Sequence, residues 1–176
     1  MIQCVHGGTQ VQIRQLILSA LQREINENHR LKKRRPTAAA VIENVEGNIL
    51  VVQSTRNLRW GFPKGGIEPG EGVIAGLLRE LWEETGVIAT MVRRLCHTAS
   101  FDVGSYQRDG FTEGQLFCYF HCRCRGVPPV TLKWDEVCDY LWLSPVDAMA
   151  FFGKKGVARP HKRDAMIYAL QRMHGQ

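Results

Sequence analysis

Residues 65–87 read GGIEPGEGVIAGLLRELWEETGV, and the fold turns on this segment because a glycine-rich, proline-stiffened loop passes directly into an amphipathic helix. The pattern predicts a helix over residues 73–85, with Gly86 as its stop. Ile74, Leu77, Leu78 and Leu81 form an apolar stripe suited to anchoring the helix on a sheet. Glu80, Glu83 and Glu84 follow the three-and-four spacing that brings side chains onto one shared face. Like charges so placed destabilise an isolated helix, and crowding pushes a carboxylate towards protonation unless a cation sits among them. A hard divalent ion with a preference for oxygen resolves that conflict, which favours magnesium over zinc. In the loop ahead of the helix, Lys64, Arg56 and Arg59 offer cations to phosphate oxygens, and Trp60 offers an aromatic face to a base.

Outward from this unit, short β-branched runs, TAAAVIENV and NILVVQS, flank Glu46, Gly47 and Asn48 and read as two strands joined by a tight turn. Further strands are expected over residues 89–101, 114–124 and 139–143, and a last helix over 163–173. Before them, Ile13, Leu16, Ile17, Ala20, Leu21 and Ile25 mark one face of a helix over residues 11–29. The basic run Arg30, Lys32, Lys33, Arg34 and Arg35 reads as its solvated end, stopped at Pro36. Strands on both sides of a central helix, with helices at both ends, give an α/β fold: a mixed sheet sandwiched between helices. Residues 1–36 are read as a helical extension packed on a domain over residues 37–176.

The bulk properties narrow the partners. A chain of 176 residues that is 44% hydrophobic has apolar material for one core. Its 23 Lys and Arg against 17 Asp and Glu leave a net charge of +6, which favours polyanions and keeps nucleotides, RNA and inositol phosphates together as candidates. No stretch approaches the roughly 20 apolar residues that span a bilayer, and MIQCVHGG has no basic start followed by an apolar run. A cytoplasmic protein with no membrane contact and no evident stable protein partner is therefore expected. Cys4, Cys96, Cys118, Cys122, Cys124 and Cys138 are scattered and read as reduced, mostly buried thiols. Strand alternation sets His121 on the face opposite Cys118, Phe120, Cys122 and Cys124, so no zinc site is read there.

Gly65, then five residues, Glu71, seven residues, Arg79, Glu80, Leu81, any residue, Glu83, Glu84, any residue, Gly86 and Val87 match every fixed position of the Nudix box. The segment thus resembles the Nudix hydrolases. That resemblance implies an α/β/α sandwich and hydrolysis of a phosphoanhydride with Mg2+ or Mn2+. Glu80, Glu83 and Glu84, with the Gly65 carbonyl, would bind metal. Arg79 would orient a glutamate, Glu83 by spacing, and Glu71 would brace the loop. Glu80 is the first candidate for general base. DEVCDYLWLS resembles a segment of bacterial RNA pyrophosphohydrolases in which a glutamate six residues before a Trp joins the metal site, which is Glu136 before Trp142 here. Glu113 is a weaker alternative. TRNLRWGFPKGGIEPGE is similar to the loop of dinucleoside-polyphosphate and diphosphoinositol-polyphosphate hydrolases, and WGFPKG also to that of messenger-RNA decapping enzymes. The leading substrates are nucleoside or dinucleoside polyphosphates. RNA 5′ ends, inositol diphosphates and a non-catalytic nucleotide sensor are the alternatives. Substrate choice is expected from the loop over residues 102–115, with Tyr106 and Phe111 as stacking candidates.

Overall fold

The computed structural model describes residues 6–100 and 109–174. The chain runs α1 (His6–Leu31), β1 (Arg35–Glu43), β2 (Ile49–Ser54), β3 (Trp60–Gly61), β4 (Lys64–Gly66), α2 (Val73–Thr85), β5 (Ala89–Ser100), β6 (Gln115–Cys124), β7 (Val137–Leu143), α3 (Pro145–Gly153) and α4 (Pro160–His174). One mixed sheet carries the strand order β3-β2-β1-β6-β5, with β4 added to β1 and β7 to β2. At its centre β1 runs parallel to β6 and antiparallel to β4. It is buried almost throughout because helices cover both faces of the sheet.

The two-residue period of the strands sorts side chains between those faces. Ala38, Ala40, Ile42, Cys118, Phe120 and Cys122 pack with Leu77 and Leu81 of α2 and with Leu21 and Ile25 of α1. Their neighbours Ala39, Val41, Phe117 and Tyr119 pack with Phe152 of α3 and with Met166 and Leu170 of α4. The result is the helix–sheet–helix sandwich expected from the sequence. His121 falls on the second face, bonded to Glu43 at 2.7 Å. Burial pushes the Cys118 and Cys122 thiols up to about 12, and the described cysteines form no disulfide.

Several expectations need correcting. On α2 the buried stripe is Val73, Leu77 and Leu81, whereas Leu78 is exposed beside Trp82, because one residue along a helix turns the side chain by about 100°. The basic run is not simply the end of α1. That helix stops at Leu31, Lys32 takes a left-handed φ of 50°, and Asn28 Oδ1 accepts from the Arg34 N–H at 3.1 Å. Arg35 already opens β1. The loop ahead of α2 contributes two short strands, β3 and β4, and Ser144 and Pro145 open a further helix, α3. There Ser144 Oγ accepts from the Asp147 N–H at 3.1 Å, a side-chain N-cap followed by proline at the first turn. Phe111 is buried edge-on against His29 and is not free to stack on a ligand. Cys4 and Tyr106 lie outside the described residues.

Candidate active site

The glycine-rich loop is held from both sides. Lys64, Gly65 and Gly66 pair with Ala39, Ala38 and Thr37 of β1, which lays the loop along the central strand. From α1, Gln22 donates to the Glu71 carbonyl at 3.0 Å and accepts from the Val73 N–H at 2.8 Å, tying the start of α2 to the N-terminal helix. Gly86 closes α2 in the left-handed conformation, with its N–H on the Trp82 carbonyl at 2.8 Å.

With its apolar stripe turned to the sheet, α2 presents Arg79, Glu80, Glu83 and Glu84 towards the loop. Arg79 is the hub. Its Nε and Nη2 meet the two oxygens of Glu71, each at 2.9 Å, while Nη2 also donates to the Gly66 carbonyl at 2.9 Å. Nη1 bonds Glu80 at 2.9 Å and reaches Glu83 only at 3.5 Å. The glutamates that Arg79 holds most closely are therefore Glu71 and Glu80, not Glu83, because loop and helix meet on that side of the guanidinium. Glu71 also accepts from the Glu68 N–H at 2.9 Å. The Arg79 guanidinium holds the Glu71 carboxyl below its ordinary range.

The other carboxylates are less comfortable. Burial raises Glu80, with Arg79 opposing the shift. Glu84 is 5% exposed and accepts from the Lys64 N–H at 2.8 Å. Burial, reinforced by the charges of Glu80 and Glu136, pushes it up to about 7. Gly65 is needed where it stands, since a Cβ there would fall on the Glu80 carboxylate. Gly65→Ala is expected to displace that carboxylate and cut kcat roughly a hundredfold, the scale of a 1 Å misplacement in a catalytic group. An unchanged kcat in a variant with wild-type Tm would show that the position of Glu80 does not matter.

These side chains open on a cleft of about 630 Å³. Of the residues singled out in the sequence, Lys64, Arg56, Arg59 and Trp60 line it along with Gly65, Arg79 and the three α2 glutamates, as does Glu136; Glu71 stands behind. Glu136 is paired with Lys133 at 2.9 Å. Trp60 packs edge-on against Phe151, and Arg59 donates to the Gly156 carbonyl. Glu113 pairs with Arg34 and does not line the cleft. Sequence reasoning missed further lining residues: Arg35, Gln115, Phe117, Arg159 and Lys162. Lys162 Nζ bonds Gln115 at 3.1 Å and lies 4.7 Å from the Phe117 ring centre; Arg35 pairs with Asp109 at 3.1 Å. Arg35 was visible only as one charge in a basic run. Nothing in the spacing linked Lys162 to residues 47 and more positions away.

The donors suit a hard divalent cation: all are oxygens, two of the carboxyls are raised by burial, and the missing Cβ at Gly65 lets the Glu80 carboxylate lie against the Gly65 backbone. Among the described residues no three acidic, His or Cys side chains form a ready ligand cluster. The reason is visible in the contacts, since Arg79 joins Glu80 to Glu83 and Glu84 turns to Lys64.

Residues 33–165 match the model of the NUDIX domain. The chain belongs to the NUDIX-domain family. Members of this family of hydrolases generally use a divalent metal such as Mg2+. An RNA pyrophosphohydrolase of Roseobacter denitrificans is 28% identical over 148 residues, covering 77% of this chain and 89% of that protein. The RNA pyrophosphohydrolase of Serratia proteamaculans is 39% identical over 67 residues, which is 38% of each chain. The NUDIX fold recurs in a MutT protein of Methanosarcina mazei, with a TM-score of 0.61 at 21% identity over 82% of this chain and 97% of the other. It recurs as well in an Ap4A hydrolase of C. elegans, with a TM-score of 0.57 at 21% identity over 78% and 94%. Among the described residues no helix is long and apolar enough to cross a membrane.

Proposed function

We propose that this NUDIX-domain chain hydrolyses a phosphoanhydride bond in a nucleoside or dinucleoside polyphosphate. The observation that carries this reading is one cleft lined both by the acidic residues of α2 and by Arg35, Arg159 and Lys162. Such a pairing accommodates a polyphosphate together with a divalent cation. Glu80, Glu83, Glu84 and Glu136, with the Gly65 carbonyl, would hold Mg2+ or Mn2+. When bound, the ion neutralises charge on the phosphate oxygens and lowers the pKa of attacking water. Glu80 accepts the proton from that water, a role suited to a carboxyl raised by burial, and Arg79 keeps it in place. Glu136 is the alternative base. Lys64, Arg56 and Arg59 meet the phosphates, Trp60 the base, and Glu71 braces the loop through Arg79.

A second reading, removal of diphosphate from an RNA 5′ end, is favoured by the name borne by the Roseobacter and Serratia relatives and by the net charge of +6. Under either reading residues 1–36 serve as an extension bracing the domain over residues 37–176, supported by Gln22 and by the burial of Leu21 and Ile25. A cytoplasmic setting belongs to the same proposal. The test is release of phosphate products with Mg2+ from dinucleoside polyphosphates, nucleoside triphosphates, nucleotide sugars, triphosphorylated RNA and diphosphoinositol phosphates. One class should be hydrolysed, and Glu83→Gln should slow it at least about a hundredfold. No turnover on any class, with nucleotide binding retained, would replace the hydrolase with a sensor.

A further inference from the structure

We propose that Gln115 is a positioning residue: its buried amide fixes the Lys162 ammonium in the cleft to meet the phosphate chain of the substrate. The proposal rests on the phosphoanhydride reading and adds to it the group that sets one of the cleft's cations in place. Ahead of the buried residues 116–120, β6 opens on a glutamine that is only 3% exposed. A buried amide is costly unless both its oxygen and its NH2 find partners. Here both do. Nε2 donates to Thr37 Oγ1 at 3.0 Å, and Oε1 accepts from Lys162 Nζ at 3.1 Å. An ammonium only donates, so the amide oxygen must face Lys162 and the NH2 must face Thr37. The buried Thr37 hydroxyl passes its own proton to the Arg35 carbonyl at 3.4 Å, which leaves its oxygen as the acceptor for Gln115.

The backbone beneath these side chains is held as firmly. β1 and β6 run parallel with Arg35 opposite Gln115 and Thr37 opposite Phe117, and the Arg35 N–H donates to the Gly114 carbonyl at 2.8 Å. Residues 115 and 117 project from one face of the strand. The Phe117 ring, itself stacked on Tyr119, lies 4.7 Å from Lys162 Nζ, so the ammonium reaches in from α4 to rest between an amide oxygen and an aromatic face. Neither of these two groups adds a negative charge, whereas a carboxylate at position 115 would anchor the lysine and cancel its attraction for an anion. Ordering a lysine stem costs rotamer freedom, and here the stem is ordered before any ligand arrives, which favours binding. Thr37, Gln115, Phe117 and Lys162 all line the same cleft as the α2 glutamates. The arrangement fits an anionic chain that shares a metal with the carboxylates and meets a preset cation elsewhere in the cleft.

The test compares Gln115→Met, Lys162→Met and the double variant of the full chain. It reads the binding of inorganic tripolyphosphate with Mg2+ by calorimetry, and kcat and KM on the substrate class that is hydrolysed. A hydrogen bond from a charged donor corresponds to roughly 10- to 100-fold in affinity, so Lys162→Met should weaken tripolyphosphate by that factor and Gln115→Met by about tenfold. KM should follow, with kcat far less changed, because the grip is present before the transition state. Methionine matches glutamine in length, so Gln115→Met should keep a Tm close to that of the native chain. In the Lys162→Met background, Gln115→Met should add almost nothing, since the two act through one group. Gln115→Glu keeps an acceptor for Lys162 but adds a charge, and it too should lose affinity with Lys162 still anchored, which a purely structural glutamine would not give. Affinity lost in this pattern by a chain that turns over no substrate would defeat the hydrolase and keep the role of Gln115. Full affinity in Gln115→Met, or a loss as large in the Lys162→Met background as in the native one, would overturn the proposal.

Discussion

Glu84→Gln is expected to abolish turnover and, at the same time, to stabilise the metal-free protein above neutral pH. Burial holds the Glu84 carboxyl near 7 against an ordinary 4.5. At about 1.4 kcal/mol per pH unit, that difference corresponds to roughly 3 kcal/mol. The sign follows from linkage. Below about pH 4.5 the group is protonated folded and unfolded alike, and it carries no penalty. Between 4.5 and 7 the unfolded chain ionises first, so stability falls; above 7 the loss is complete. Glutamine keeps an oxygen to accept from the Lys64 N–H but has no proton to lose. Denaturant unfolding in chelator at pH 5 and pH 8 should therefore show the variant gaining about 2–3 kcal/mol on the native chain between the two. Adding Mg2+ should reverse the ranking, because a cation that needs the carboxylate stabilises the native chain more strongly as pH rises. A variant equally stable at both pH values relative to the native chain would mean that Glu84 is charged at neutrality without help.

Arg79→Met should be the most damaging single change for stability and activity together. It strips the partner from Glu71 and Glu80, whose side chains are only 17% and 13% exposed. Breaking a buried pair costs about 3–5 kcal/mol. Solvent access to Arg79 itself, 31% exposed, lowers the expectation to about 2–4 kcal/mol. In a chain of this length that is a Tm loss of roughly 5–12 °C. Turnover should fall by about 10–100-fold or more as Glu80 loses its orienting contact. Arg79→Lys should recover little, since one ammonium cannot span both Glu71 oxygens, Glu80 and the Gly66 carbonyl. The deficit also has a pH signature. Arg79 depresses the Glu71 carboxyl, so this contribution is present above about pH 4.5 and is lost as pH falls through the lower folded value. Native and variant stabilities should converge in acid. A deficit constant from pH 3 to pH 8 would mean that packing by the Arg79 stem, not its charge, is what matters.

Much of this protein is written in local spacing. A period of 3.6 residues marked α2 and put Glu80, Glu83 and Glu84 together, while a period of two sorted β1 and β6 between two cores and separated His121 from the buried thiols. Local spacing failed where one residue decides a face, as at Leu78, and where a helix is too short to show its period, as in α3. The sequence by itself therefore determined the α/β class, the loop–helix unit and the identity of the carboxylates, because each depends on residues a few positions apart. Only the tertiary structure decided that Arg79 holds Glu71 and Glu80 ahead of Glu83 and that Glu84 is buried under the Lys64 N–H. It alone set Arg35, Arg159 and Lys162 around the same cleft as the α2 glutamates. Those placements follow from strand register and from how helices lie on the sheet, where one residue of slip exchanges buried for exposed faces. Such geometry joins residues far apart in the chain, and local spacing does not carry it.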